Sequence, residues 1–318
     1  MARADSALPQ SIMGFVVRFT GRHQIGLALL SAAVFALSAV PLELQRRIVN
    51  DAIKSGAVTT ILWLAAAYAG VAVVEQILKL CLNVYRGWVS EASVRMLRQV
   101  IQKQCQPTCE EETGTRAAMM LSEAEPIGGF VGISTSEPLL QGGILASVII
   151  YMIWLEPWMA LLGPASLVPQ MVIVPLMQRA INRRAEARIK TLREVSSGIV
   201  GGGKPVSPRV ERSRIERVFL LNMGIFKIKY SMNLFMNLMQ YFAVAIALGV
   251  GGWFAVEGRL DVGTVVAVVS GLGKLKDPWG DVVNWARELS VVAVKYRLFA
   301  DAANRLAPDG TLRMAHAI

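Results

Sequence analysis

The sequence predicts an all-α polytopic membrane protein, with six transmembrane helices of which the second and fourth run on as long helical extensions into the cytoplasm. Three observations carry this expectation. Of the 318 residues 54% are hydrophobic and only 18% are charged, where soluble domains carry about a quarter charged residues. The apolar residues fall in long blocks, each close to the ~20 residues that cross a bilayer as a helix, and strongly charged segments separate them. Lysine and arginine are shared very unequally among those segments.

Taken in order, residues 1–23 form a cytoplasmic N-terminus in which SIMGFVVRF (11–19) reads as a short amphipathic helix lying on the inner membrane surface. The apolar run starts only at Ile25, after Arg18 and Arg22, and is full length, so a membrane span is expected here and not a cleaved leader. The six expected spans cover Ile25 to Leu42, Thr59 to Val84, Leu139 to Leu155, Trp158 to Met177, Ser231 to Val256 and Val262 to about Val294. Glu156-Pro157 makes a tight turn between the third and fourth. Trp63, Trp154, Trp158 and Trp253 stand near span ends, as interfacial aromatics do.

Helical periodicity continues past two of the spans. After Tyr85, Val89, Val94, Leu97, Val100 and Ile101 share one side; after Met177, Ile181, Ala185, Ile189 and Leu192 do the same. About 18 extra residues would project ~25 Å beyond the membrane. Residues 24–303 are expected to form one membrane domain, with 304–318 as a tail.

Six spans put both ends on one side. The N-terminus, the 86–136 and 179–229 connections and the tail from Ala286 hold 26 Lys and Arg; the opposite side holds Arg46, Arg47, Lys54 and Arg259. The positive-inside rule therefore makes both termini cytoplasmic, in a cell (inner) membrane.

Several function classes are excluded. The net charge of +10 flanks apolar blocks and is not interleaved with aromatics, which argues against nucleic acid. Cys81, Cys105 and Cys109 have no ligand-like spacing and read as free thiols, and His23 and His316 are the only histidines. SSGIVGGGKP (196–205) matches the front of a phosphate-binding P-loop through Gly198, Gly203 and Lys204. However, Pro205 stands where a hydroxyl would ligate magnesium, and a charged helix precedes the glycines where a strand is needed. The segment reads as a break between helices.

Ionisable groups inside a span are costly and usually face a cavity or a partner. In the sixth span Lys274, Asp277, Asp281, Asn284 and Glu288 share one helical face. Lys274, Asp277 and Asp281 are candidates for a translocation pathway, with the alternative that the stripe is a solvated face; beyond Asn284 a solvated extension is expected. Asn233, Asn237 and Gln240 form a second candidate stripe, contacting substrate or bridging helices. Ala243, Ala247 and Gly251 make a small-residue packing seam, and Glu75 precedes Lys79 by four residues in the favourable order for an internal ion pair.

The stretch LGVGGWFAVEGRLDVGTVVAVVSGLGKLKDPWGDVV (248–283) resembles the fifth-to-sixth span region of the transmembrane domain of ABC exporters, with Gly251, Gly252, Gly258, Gly263 and Pro278 in matching order. WLEPWMALL (154–162) is similar to that family's entry to the fourth span. The resemblance implies a permease subunit working by alternating access, as a homodimer or paired with a related transmembrane subunit in membrane lipid. In many members a nucleotide-binding domain follows the sixth span; this chain ends at Ile318, and no L-S-G-G-Q-like signature appears. ATP and magnesium are therefore expected on a separate ATPase partner, with no cofactor and no catalytic residue on this chain. The resemblance also implies coupling tips that dock on that ATPase, one at Glu111, Thr113 and Gly114 and one at Gly201, Gly202 and Lys204. Two alternatives stay open: a non-transporting scaffold or regulatory subunit that kept the fold, and a secondary transporter or channel working without ATP.

Overall fold

The computed structural model describes residues 6–53, 58–104, 116, 119–200, 208–306 and 313–314. In chain order the helices are α1 (Ile12–Leu37), α2 (Val40–Arg47), α3 (Val58–Gln104), α4 (Ala124–Ile133), α5 (Ser136–Leu155), α6 (Pro157–Ala160), α7 (Leu162–Val200), α8 (Pro208–Val256) and α9 (Val262–Leu306). Wider π-helical turns at Ile48–Ile53 and Met119–Glu123 lead out of α2 and into α4. One short pairing lies outside the all-helical expectation: β1 (Ser6–Ala7) runs antiparallel to β2 (Arg313–Met314).

Five helical stretches are long and apolar enough to cross a membrane: Ile12–Asn50, Val58–Lys103, Met119–Leu155, Pro157–Arg188 and Arg209–Val256. The chain is thus of the multi-pass membrane type. The sixth expected span is also helical, as α9, but Lys274, Lys276, Asp277 and Asp281 interrupt its apolar run. The extended second span is one helix of 47 residues, or ~70 Å at 1.5 Å per residue, more than twice the ~30 Å hydrocarbon core.

The described chain divides into two compact units, residues 1–155 with 261–318, and residues 156–260. In the first, α1 begins at Ser11, whose hydroxyl caps the Gly14 amide at 3.1 Å. Residues 11–19 are not a separate surface helix; they are the first turns of α1, and Phe15, Val16 and Phe19 are buried. Phe15 packs on Tyr296 of α9 with centroids 5.7 Å apart, and the Tyr296 hydroxyl donates to the Pro9 carbonyl at 2.7 Å. Burial pushes that phenol above its ordinary pKa, which keeps the donor proton in place. α1 ends where Ser38 bonds back to the Phe35 carbonyl, and Pro41 opens α2, where its missing N–H costs nothing.

Helix α4 lies against α3 through Gly128 and Gly132, spaced as a small-xxx-small seam. A β-carbon on Gly128 would stand 2.8 Å from the Val94 backbone nitrogen, and one on Gly132 would overlap the Arg86 carbonyl oxygen and the Ser90 hydroxyl. Val89, Val94, Leu97 and Ile101 of α3 are buried, Val100 only partly, so the expected apolar face is largely the packed one. Helix α5 packs against α1 and α9. The start of α9 meets α2 at Gly263, whose amide donates to Asn50 Oδ1 at 2.7 Å and whose α-carbon has no room for a side chain beside the Arg46 carbonyl.

In the second unit Glu156 is extended and Pro157 opens α6, forming the expected turn. α7 and α8 pack together, and Arg188 donates to Asn222 Oδ1 at 3.1 Å between them. Ala243, Ala247 and Gly251 are buried, as a packing seam requires. α8 stops at Gly258, which takes φ +74°, a conformation glycine adopts without strain.

Candidate functional site

The first unit holds an open cavity of about 500 Å³. Its polar lining comes from the end of α1 (Ser38), from α3 (Glu75, Lys79, Asn83, Arg86), from α5 (Glu137, Gln141) and from α9 (Lys274, Asp277, Asp281). α3, α5 and α9 supply these groups at helical spacing, so one stripe on each of the three turns toward the cavity. Pro278 of α9 also lines the cavity, and it removes the N–H that would close the turn onto the Lys274 carbonyl.

The charges are partly matched. Lys79 Nζ stands 2.7 Å from Glu75 Oε1, the internal pair expected from the sequence. Arg86 pairs with Glu137 and donates through Nε to Ser136 Oγ at 2.8 Å. The Gln141 amide bridges α5 to α9, donating to Glu137 Oε1 at 2.9 Å and to Asp281 Oδ2 at 3.0 Å. Lys274 Nζ donates to the Ser38 carbonyl at 2.8 Å, with no carboxylate in ion-pair range among the described residues. Asp277 has neither a hydrogen bond nor an ion pair among the described residues. The arrangement can hold a small polar solute between opposite charges.

Of the residues singled out in the sequence, Lys274, Asp277 and Asp281 line this one cavity, whereas Asn284 and Glu288 further along α9 are exposed and outside its lining. Asn233, Asn237 and Gln240 belong to α8 of the second unit, where Asn233 is exposed, Asn237 half-buried and Gln240 buried. Glu111, Thr113, Gly114, Gly201, Gly202 and Lys204 lie outside the described residues. Arg86, Glu137, Gln141 and Ser38 were not singled out from the sequence. Arg86 carried a signal, since it continues the Glu75 and Lys79 face of α3. Glu137 precedes the expected third span and carried none.

A second polar cluster lies in the same unit. Glu43 of α2 accepts from Arg46 at 2.8 Å, Arg47 at 2.7 Å and the Tyr151 hydroxyl of α5 at 2.8 Å. These groups satisfy one another. In the second unit an apolar hollow of about 480 Å³ is lined by Trp158, Met159, Leu162, Ile246, Val250 and Phe254, with Arg259 on its rim. Among the described residues no three metal-ligating side chains converge.

No protein-family model matches the chain, and no curated protein has a matching sequence.

Proposed function

We propose that this chain is the membrane-spanning (permease) subunit of a transporter built like the transmembrane domain of ABC exporters. On this reading it moves a solute by alternating access, and a separate nucleotide-binding partner hydrolyses ATP with magnesium. The observation that carries the proposal is the charged cavity of α1, α3, α5 and α9 in a chain of membrane-length helices. Ionisable groups at membrane depth are rare unless they serve a path or a binding site. The ordered match at Gly251, Gly252, Gly258, Gly263 and Pro278 supports the same reading. So do the lengths of α3 and α7, which lead to the tips proposed to dock on the ATPase, at roughly 106–115 and 197–208.

The subunit then pairs with a second copy or a related chain, with both termini in the cytoplasm. Affinity purification from native membranes in mild detergent tests this directly. The expected result is a co-purifying ATPase whose turnover changes several-fold when Asp277 or Asp281 is replaced by alanine. Replacing Gly198 to Pro208 with a rigid helix should weaken its attachment. A stable dimer that brings down no ATPase and supports no flux overturns the proposal and identifies a scaffold. Flux in liposomes containing this chain alone, driven by an ion gradient, overturns it in favour of a secondary transporter.

A further inference from the structure

The cavity between α1, α3, α5 and α9 has a charge pattern that selects a ligand class, and this step rests on the transport reading above. Its lining holds four carboxylates and three cations. Glu75 is paired with Lys79, and Glu137 with Arg86. Asp281 accepts the Gln141 amide. Lys274 and Asp277 remain, one of each sign, and neither has an ion-pair partner among the described residues. They are three positions apart on α9, so their β-carbons are neighbours at about 5–6 Å on one face.

Lys274 is half-buried and Asp277 exposed at the cavity, and a charge without a partner attracts whatever of opposite sign approaches it. Two adjacent groups of opposite sign are both met by one molecule that carries an ammonium and a carboxylate close together. Arg86 adds an independent sign that the lining is incomplete. It is only 8% exposed, it lines the cavity, and its Nη2 has no acceptor among the described residues. The wall is not polar throughout: Leu82, Leu140 and Ile144 also line it. Among the lining residues no aromatic side chain appears, so the aromatic faces that hold quaternary ammonium groups are missing. The cation has to be one that donates N–H bonds.

The geometry points to a small zwitterion with an apolar substituent, the chemistry of an α-amino acid with an aliphatic side chain. Its ammonium sits on Asp277, its carboxylate on Lys274, and its side chain against Leu82, Leu140 and Ile144. A volume of about 500 Å³ admits such a molecule together with water that can reach Arg86.

The test is equilibrium binding of radiolabelled L-leucine to the purified full chain in detergent. Competition by N-acetyl-L-leucine, which lacks the cation, and by L-leucinamide, which lacks the carboxylate, completes it. Saturable L-leucine binding is expected, with each analogue at least tenfold weaker. Asp277→Asn should weaken L-leucine at least tenfold and leave N-acetyl-L-leucine unchanged; Lys274→Met should do the same with L-leucinamide as the insensitive probe. If a variant does not purify as a single species, the analogue series on the unaltered chain decides alone. Absence of saturable binding, equal binding of the three probes, or L-leucine binding unaffected by either substitution in a well-behaved variant overturns the assignment. An ATPase that co-purifies with a chain unable to bind L-leucine removes the ligand class and leaves the transporter reading standing. L-leucine binding by a chain without any ATPase does the reverse.

Discussion

Arg86 ties α3 to α5 with one side chain and starts a polar network that reaches α9. It sits on α3, donates to Ser136 and pairs with Glu137 at the start of α5, and Gln141 carries the network on to Asp281 of α9. Taking away one partner of a buried pair leaves the other charge uncompensated, at a cost of about 3–5 kcal/mol, whereas replacing both with apolar groups of similar volume is often neutral. Arg86→Met should therefore lower the thermal midpoint in detergent strongly, and Arg86→Met with Glu137→Leu should recover most of the loss. Equal losses in the single and double variants would show that Arg86 acts by packing alone. The α9 half of this site was legible in the sequence, because Lys274, Asp277 and Asp281 lie on one helix and spacing alone puts them on one face. The other half was not. Arg86 and Ser136 are fifty positions apart in the chain, and periodicity within a helix says nothing about which neighbour it meets.

At the scale of the helix, the lengths of α3 and α7 were legible and the continuity of α1 was not. Arg22, His23 and Gln24 look like a polar boundary when read along the chain. In the structure the Gln24 amide is buried, donating to the Val131 carbonyl at 2.9 Å and to Thr20 Oγ1 at 3.1 Å, while His23 Nδ1 is 2.9 Å from the Tyr85 hydroxyl. Tyr85 and the Val131 carbonyl meet His23 and the Gln24 amide nitrogen, so the helix continues through both, although Gln24 Oε1 is left without a partner among the described residues. The resemblance glycines have separate physical tasks: Gly258 supplies a left-handed turn and Gly263 a close approach to Asn50. Gly128 and Gly132 belong to no motif quoted from the sequence, yet they set the distance between α3 and α4. A leucine at either position meets backbone atoms that cannot move aside as a flexible side chain would. Gly132→Leu should cost at least about 1–3 kcal/mol by overpacking, read as a lower thermal midpoint and an aggregated fraction on size exclusion. Leucine at Gly129, which has open space around its α-carbon, is the matched control and should behave as the unaltered chain.

For the whole molecule, the number of spans and the side of each terminus are a single question. Apolarity and length alone mark five crossing stretches, which would leave the two ends on opposite sides. Six crossings put them on the same side, and the deciding element is α9. Its charges argue against a span facing lipid, where each ionised group at the bilayer centre costs at least about 2.5–3.5 kcal/mol. Lys274, Asp277 and Asp281, however, line a cavity shared with α1, α3 and α5, and two of the three already have polar partners there. Side chains that line a polar cavity need not face lipid, and α9 at 45 residues is longer than a bilayer needs. The charge distribution agrees, since 26 of the 33 Lys and Arg fall on the side that six spans assign to the cytoplasm. Single cysteines introduced into a chain whose Cys81, Cys105 and Cys109 are replaced by serine would read this out with a membrane-impermeant maleimide. Ser55→Cys and Glu257→Cys should label in intact cells, and Glu111→Cys and Lys204→Cys only after permeabilisation. Ala317→Cys separates the two counts: protection in intact cells follows from six spans, and labelling there would mean that α9 does not cross.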